Sequence, residues 1–376
     1  MLIYMSFFYP RERRLIQYAG MTLAPLNRHD HFLQLFPKEP AFRLHQIEQA
    51  YFTDSMIGWE SVTTLSKEMR TVLLREIPWI SCKAISTFSS KTGDTHKVVL
   101  AGQDNKFYES VLMANKRGQW TICISSQIGC AMGCTFCATG AMGLQRDLSS
   151  DEIADQYRFW KQFLAQKPEL PQRISNVVFM GMGEPLVNLE NVKAAIRTWL
   201  SYTDLGPTRI TVSTVGVLPA LEGILTDSDW PAVRIAISLH SPEEESRRKI
   251  VPTTAPHFHE RLAKWTHDYQ AIHGNRRHHV TFEYTLIAGV NDNEEEAKSL
   301  VKFVKKTSAV KVNVIPLNPV DGKSFTASSR EGIETFKNVL QNAGINVTER
   351  KTMGQDIAAA CGQLALTIKS DGKTVG

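Results

Sequence analysis

Cys130-Ala131-Met132-Gly133-Cys134-Thr135-Phe136-Cys137 is a nest of three soft ligands spaced C-x3-C-x2-C, with a further thiol seven residues upstream at Cys123. Three is an informative number. A closed structural zinc site uses four protein ligands, whereas a [4Fe–4S] cluster can be held at three irons, leaving the fourth free for a substrate or cofactor. Gly129, Gly133 and Gly140 give the loop the freedom to wrap a cluster, and no C-x2-C pair elsewhere completes a zinc site. The iron–sulfur reading leads. A zinc knuckle completed by a remote histidine, or buried thiols without metal, are the bland alternatives.

Working outward, the thiol loop follows a strand. From Gly118 the chain repeats a strand-then-helix rhythm, with strand candidates at 121–126, 176–182, 209–214, 233–239, 279–286 and 311–317. Between them lie helical patterns. In 292–306, Ala297, Leu300, Val301 and Val304 recur at i, i+3, i+4, i+7. After Ser328 a capping box from Ser328 to Glu331 leads into Ile333, Phe336 and Leu340 on one face, ending at Gly344. Six βα units predict an α/β fold with a parallel sheet, open or curled into a partial (βα)6 barrel. Active residues in such folds gather at the C-terminal ends of strands, where the thiol loop falls.

Upstream, 82–113 reads as short alternating runs separated by polar turns, a small antiparallel β extension. Residues 40–78 read as helices, with Phe42, Leu44, Ile47 and Tyr51 on one face and Met69, Val72, Leu73 and Ile77 on another. The expected organisation is a loosely ordered extension over 1–35, a helical module over 36–80 and the β extension over 81–115. A core over 116–350 and a C-terminal segment over 351–376 complete it.

Composition narrows the class. With 376 residues, 43% hydrophobic and 22% charged, the chain is an ordinary globular protein, and its net charge of +5 is compatible with nucleic acid without requiring it. Six cysteines, four of them between 123 and 137, suit reduced thiols in a cytoplasmic protein rather than a disulfide scaffold. The apolar start is short and precedes its arginine run, the reverse of a signal peptide, and no apolar run approaches the ~20 residues of a membrane span. Neither export nor a membrane span is expected.

The thiol triplet, with Phe136 before its last cysteine and placed after the first strand of a βα array, resembles the radical S-adenosylmethionine (SAM) superfamily. Four further stretches narrow it: 125–130 (SSQIGC), 179–185 (FMGMGEP), 238–240 (SLH) and 359–364 (AACGQL). Together these are similar to the RlmN/Cfr family of RNA adenine methyltransferases, from about Pro40 to Leu366. The resemblance implies a [4Fe–4S] cluster on Cys130, Cys134 and Cys137. Its open iron binds the amino and carboxylate groups of SAM, and one-electron reduction yields a 5′-deoxyadenosyl radical. A ring carbon of adenine is no nucleophile, so a cofactor must supply such chemistry.

The resemblance assigns SAM contacts to Gly183, Glu184, Ser213, Ser238, Leu239, His240 and Asn318. Taken alone, Gly183 could be a simple turn and His240 a satisfied core histidine. Cys361 matches the cysteine methylated by a first SAM, from which the radical of a second takes hydrogen before the carbon joins adenine; alone it reads equally as a small core residue. Cys123 matches the thiol that releases product through a transient disulfide with Cys361. Glu109 matches a candidate proton acceptor, although an exposed strand glutamate is its simpler reading. Cys82 is expected to be structural.

Implied partners are 23S ribosomal RNA and transfer RNA, plus an external one-electron donor such as flavodoxin or ferredoxin. A monomer is expected, with residues 36–80 resembling the family's RNA-recognition module. The basic runs 247–249 and 276–279 are candidate phosphate contacts, with solvated charge as the default. Pro185, Phe282-Glu283-Tyr284 and Pro319 look like carbon-2 enzymes, whereas Ala138-Thr139-Gly140 is shared more with the carbon-8 branch. A zinc-bound RNA-binding protein without catalysis is the alternative of a different class.

Overall fold

The computed structural model describes residues 27–365 except 116, 275–278, 310 and 321. Three helices open it: α1 (Arg28–Leu35), α2 (Phe42–Tyr51) and α3 (Lys67–Glu76). They build a core of their own around Phe32, Ile47, Tyr51, Trp59, Leu73 and Ile77. Residues 27–35 therefore do not belong to a loose extension. Arg28 is buried and reaches Asp155 Oδ2 at 2.7 Å, which ties α1 to the body of the protein; residues 1–26 lie outside the described residues. Phe42 is exposed, so it does not share the buried face of Ile47 and Tyr51.

Three antiparallel strands follow, β1 (Lys83–Ser89), β2 (Thr95–Ala101) and β3 (Phe107–Ala114). They pair onto β4 (Trp120–Cys123), which starts the parallel part of one ten-stranded sheet. A short hairpin, β5 (Gln127–Gly129) with β6 (Leu144–Asp147), brackets the thiol loop and α4 (Ala138–Ala141). The parallel strands continue as β7 (Ile174–Phe179), β8 (Ile210–Thr214), β9 (Arg234–Ser238), β10 (Val280–Leu286), β11 (Lys311–Pro316) and β12 (Val347–Glu349). Their spatial order is their chain order from β4 onward, omitting the hairpin, and β12 does not pair back to β4. The six expected strands are all present, and β12 adds a seventh of only three residues. The sheet is open, as a partial barrel requires.

The crossovers are α5 (Ser150–Ala165), α6 (Leu189–Tyr202), α7 (Leu218–Ile224), α8 (Glu244–Ile250), α9 (Phe258–His273), α10 (Glu294–Lys305) and α11 (Arg330–Asn342). The cap of α11 is Ser329, whose hydroxyl accepts from Gly332 N, and not Ser328, whose hydroxyl donates to Asp292. The helix starts one residue later than the capping-box pattern suggests because Asp292 captures Ser328.

Strand alternation gives the sheet two different faces. Ile122, Val177, Val212, Ile235, Ile237, Phe282, Val312 and Val314 are buried together in the large core. The opposite face carries Cys123, Ser213, Ser238, Glu283, Thr285 and Asn313, as the pairing Ser238↔Glu283↔Asn313 shows. An apolar outer face packs the helices, and the polar inner face remains available for chemistry. Among the described residues no helix is long and apolar enough to cross a membrane.

Candidate active site

The inner face opens into a cavity of about 990 Å³. Cys130, Cys134 and Cys137 lie on one wall, with Gly183, Glu184, Ser213, Ser238, His240, Asn318 and Cys361 around the rest. The thiol loop enters from β5, and its shape depends on glycine. Gly129 has φ +74°, and a Cβ there would stand 1.8 Å from Gly143 O. The far side of the loop is held by α8, where Thr135 N donates to Ile250 O at 2.9 Å and Thr135 Oγ1 to Lys249 O at 3.0 Å. Ala138 N donates to Gly362 O at 2.8 Å, which fastens the loop to the Cys361 segment.

Burial pushes the Cys130 thiol up to about 12, and raises Cys134 as well, with the neighbouring thiols adding to the effect. Crowded thiols of this kind become thiolates when a cation binds them. Among the described residues no three His, Cys, Asp or Glu side chains could hold a single metal ion. Three soft thiols gathered on one wall of a cavity are a donor set that fits a cluster held at three irons.

Opposite the thiols, Gly183 has φ +99°, and a Cβ there would meet Gln127 at 2.6 Å. Glu184 is buried; its Oε2 accepts from Val215 N at 2.8 Å and its Oε1 from Leu186 N at 3.0 Å. Burial raises its carboxyl against those hydrogen bonds. With Thr214 as a third donor, the carboxylate still has acceptor capacity left for a cationic amine.

His240 is held at φ +58°, with Nδ1 accepting from Thr285 N at 3.1 Å and its ring edge-on to Phe136. Burial, then the nearby Arg247 charge, push it down to about 3, so the ring is neutral and carries its proton on Nε2. Leu239 is fully buried away from the cavity, and its backbone N donates to Glu283 O. Asn318 Nδ2 donates to Cys361 O at 3.0 Å. Asn318 therefore holds the Cys361 backbone as well as lining the cavity.

Cys361 is exposed towards the cavity, while the surrounding walls raise its thiol; Arg350 acts in the opposite direction. Cys123 sits behind, at the end of β4, buried and off the cavity surface. Burial raises its thiol first, and Cys361 is the next cause, so the two sulfurs are neighbours. The expected disulfide is not formed: all six cysteines are free. Burial keeps the Cys123 sulfur a protonated thiol, and it is the thiolate that attacks another sulfur.

Glu109 is buried on β3 and not exposed. Its Oε1 pairs with Lys97 at 3.1 Å, and its Oε2 has no hydrogen-bond partner. Val111 is opposite both Lys97 and Cys123, so Glu109, two residues away, shares their inner face. Burial raises its carboxyl more than Lys97 lowers it. Glu109 does not line the cavity itself.

Sequence reasoning missed two arginines. Arg350 Nε pairs with Glu283 at 3.2 Å and its Nη1 reaches Met180 Sδ at 3.2 Å, and its charge acts on Cys123 and Cys361. Arg247 belongs to a run read as solvated charge with phosphate contact as the candidate role, yet it is buried and bonded to Leu239 O, Ser238 O, Val215 O and Thr254 Oγ1. Its neighbours Arg248 and Lys249 form exposed pairs with Glu244 and Glu245. A charged run conceals one inward residue per turn, and only helix orientation reveals which. In the other basic run, 276–278 lie outside the described residues.

Comparison with known proteins agrees with this geometry. The model of the radical SAM superfamily matches residues 124–301. A probable dual-specificity RNA methyltransferase RlmN from Thermus thermophilus is 38% identical over 343 residues, covering 89% of this chain and 93% of that protein. This chain belongs to the RlmN family. A second RlmN relative, from Moorella thermoacetica, is 40% identical over 332 residues, covering 87% of this chain and 91% of its own length. A solved radical SAM methyltransferase from Sphaerobacter thermophilus superposes with a TM-score of 0.80 at 34% identity, covering 88% of this chain and 95% of that one. RlmN-family membership makes this a radical SAM enzyme and implies SAM and a [4Fe–4S] cluster as its cofactors.

Proposed function

We propose that the protein methylates carbon 2 of an adenosine in 23S ribosomal RNA, and in transfer RNA, through a methyl group carried on Cys361. One observation carries the reading. Cys361 opens onto the same cavity as the three thiols and the polar strand ends, although more than two hundred residues separate them.

Cys130, Cys134 and Cys137 would hold the cluster, and Gly183, Glu184, Ser213, Ser238, the Leu239 backbone, His240 and Asn318 would hold SAM. The bound pair supplies a 5′-deoxyadenosyl radical after one electron arrives from a donor such as flavodoxin or ferredoxin. The chain's own residues do the rest. The Cys361 sulfur takes a methyl from a first SAM, so two SAM are used per turnover. After hydrogen loss to the radical, that carbon bonds to adenine, protein and RNA are covalently joined, and the unpaired electron of the adduct would pass to a one-electron acceptor, the role the cluster would fill.

Glu109, with one unpartnered oxygen and a raised carboxyl, accepts the carbon-2 proton. Cys123 as thiolate then attacks the Cys361 sulfur. The sulfur–carbon bond breaks, its electron pair leaves with the base, the released carbon takes up a proton to complete the methyl group, and an external dithiol later reduces the joined sulfurs. The target adenosine must leave its stack to reach this enclosed site. The helical module, taken as residues 36–80 together with α1, would grip the RNA, next to the β extension over 81–115. The core over 116–350 and the segment over 351–376 build the cavity. The protein acts as a cytoplasmic monomer.

The test is anaerobic purification followed by mass mapping of RNA from cells with and without the gene. Brown, iron-containing protein and loss of 2-methyladenosine are expected. Colourless protein with stoichiometric zinc would overturn the enzyme reading, and 8-methyladenosine would move the protein to the carbon-8 branch.

A further inference from the structure

Arg247 is one of the largest fully buried side chains in the protein, and all its hydrogen-bond partners are neutral. No ion pair is formed by it among the described residues. Its guanidinium lies 3.7 Å over the ring centroid of Phe258, an apolar lid on one side. A buried cation satisfied only by carbonyls, a hydroxyl and a ring costs stability unless a negative charge completes it. The acidic groups whose ionised forms it would favour are Cys134 and Glu184, both on the cavity wall.

The connections of Arg247 also run to both sides of the site. On one side its Nη2 accepts no partner but donates to Val215 O and Ser238 O, while Nε donates to Leu239 O at 2.9 Å; these are the ends of β8 and β9. Val215 N in turn donates to Glu184 Oε2. On the other side Arg247 belongs to α8, whose last carbonyls, on Lys249 and Ile250, receive the hydrogen bonds of Thr135 between Cys134 and Phe136. One side chain therefore braces the strand ends against the helix that holds the thiol loop.

We infer that Arg247 is a positioning residue for the iron–sulfur centre, bracing the thiol loop against β8 and β9 and holding a buried positive charge beside it. Three thiolates bring negative charge to this wall, and one-electron reduction of a cluster there adds another. A fixed cation in a site of low dielectric favours the reduced form. The inference rests on the reading that Cys130, Cys134 and Cys137 hold a cluster.

The test compares Arg247→Lys, which keeps the charge, with Arg247→Gln, which removes it, in the reconstituted full chain. Iron per chain and the midpoint potential of the cluster are measured, with melting of the iron-free chains as control. Arg247→Gln should show about a tenfold smaller reduced fraction at fixed potential, equivalent to about 59 mV for one electron, while Arg247→Lys stays closer to the parent. Equal potentials in the parent and the glutamine variant, at equal iron content, overturn the inference. If neither variant retains iron, unchanged melting of the iron-free chains supports the brace, and lowered melting reduces Arg247 to an ordinary core residue. A parent chain that takes up no cluster would instead defeat the cluster reading itself.

Discussion

Two of the regions that bury charge in this protein do so in different ways. Where the helical module meets α5, Asp155 Oδ1 receives Arg28 Nη2 and Arg158 Nη1, and Oδ2 receives Arg28 Nη1 and Ser81 N. Tyr51 and Trp79 lie beside the guanidinium groups. Anion and cation meet there, and the charges balance within the chain. Around the cavity, Arg247 and Glu184 are held by neutral groups, while Glu109, off the cavity surface, pairs with Lys97 through one oxygen and keeps the other unpartnered. Balanced burial makes a joint; unbalanced burial makes a receptor, since incoming groups complete it.

Substitutions can break this contrast, and the largest effect belongs to the cavity. Cys361→Ala should give neither methylated RNA nor a covalent complex, whereas Cys123→Ala should accumulate protein joined to RNA on denaturing gels. Methylation by Cys361→Ala would end the proposed route. Glu109→Gln should slow turnover by about 10²–10⁴, with a smaller loss of melting temperature because buried Lys97 loses its carboxylate partner. A large stability loss with full turnover would place Glu109 with the joint instead.

At the joint the expectation reverses. Asp155→Ala leaves two arginines buried without their carboxylate and should cost about 3–5 kcal/mol of stability, read by denaturant unfolding, with cluster content per folded chain unchanged. The same group gives a pH dependence. Arg28 and Arg158 hold the Asp155 carboxyl down to about 2, below its ordinary 3.8, against the opposing effect of burial. Its stabilisation is complete above pH 4 and is lost as pH falls from about 4 to 2. Hydrogen exchange should then show α1 to α3 opening before β7 to β9, and simultaneous opening would contradict a separate joint. The smallest effect is expected at the exposed pairs of α8: Arg248→Ala with Lys249→Ala should change stability by less than about 1 kcal/mol. A tenfold loss of RNA affinity in that variant would identify this helix face as a phosphate contact.

How far these features were readable beforehand follows the range of the forces involved. Strand and helix periodicity is local, so six parallel strands were legible to within three residues at either end, and the thiol spacing announced the site. The strands β5, β6 and β12 escaped because three or four residues carry no period of their own; partners in the sheet hold them. Arg28 looked like part of an aimless extension because its carboxylates lie more than 120 residues away.

What the sequence determined by itself was a parallel sheet of βα units, a loop of three thiols and a distant cysteine matching a family pattern. Alternation and spacing are properties of neighbours along the chain, and they survive without any fold. Only the tertiary structure decided that Cys361 shares a cavity with the thiol loop, that Cys123 lies behind it, and that Arg247 turns inward while Arg248 and Lys249 face outward. Burial and charge pairing depend on what the rest of the chain brings into contact, and no local pattern records that. The thiol loop was visible from the start, but the brace around it exists only once β8, β9 and α8 are packed together.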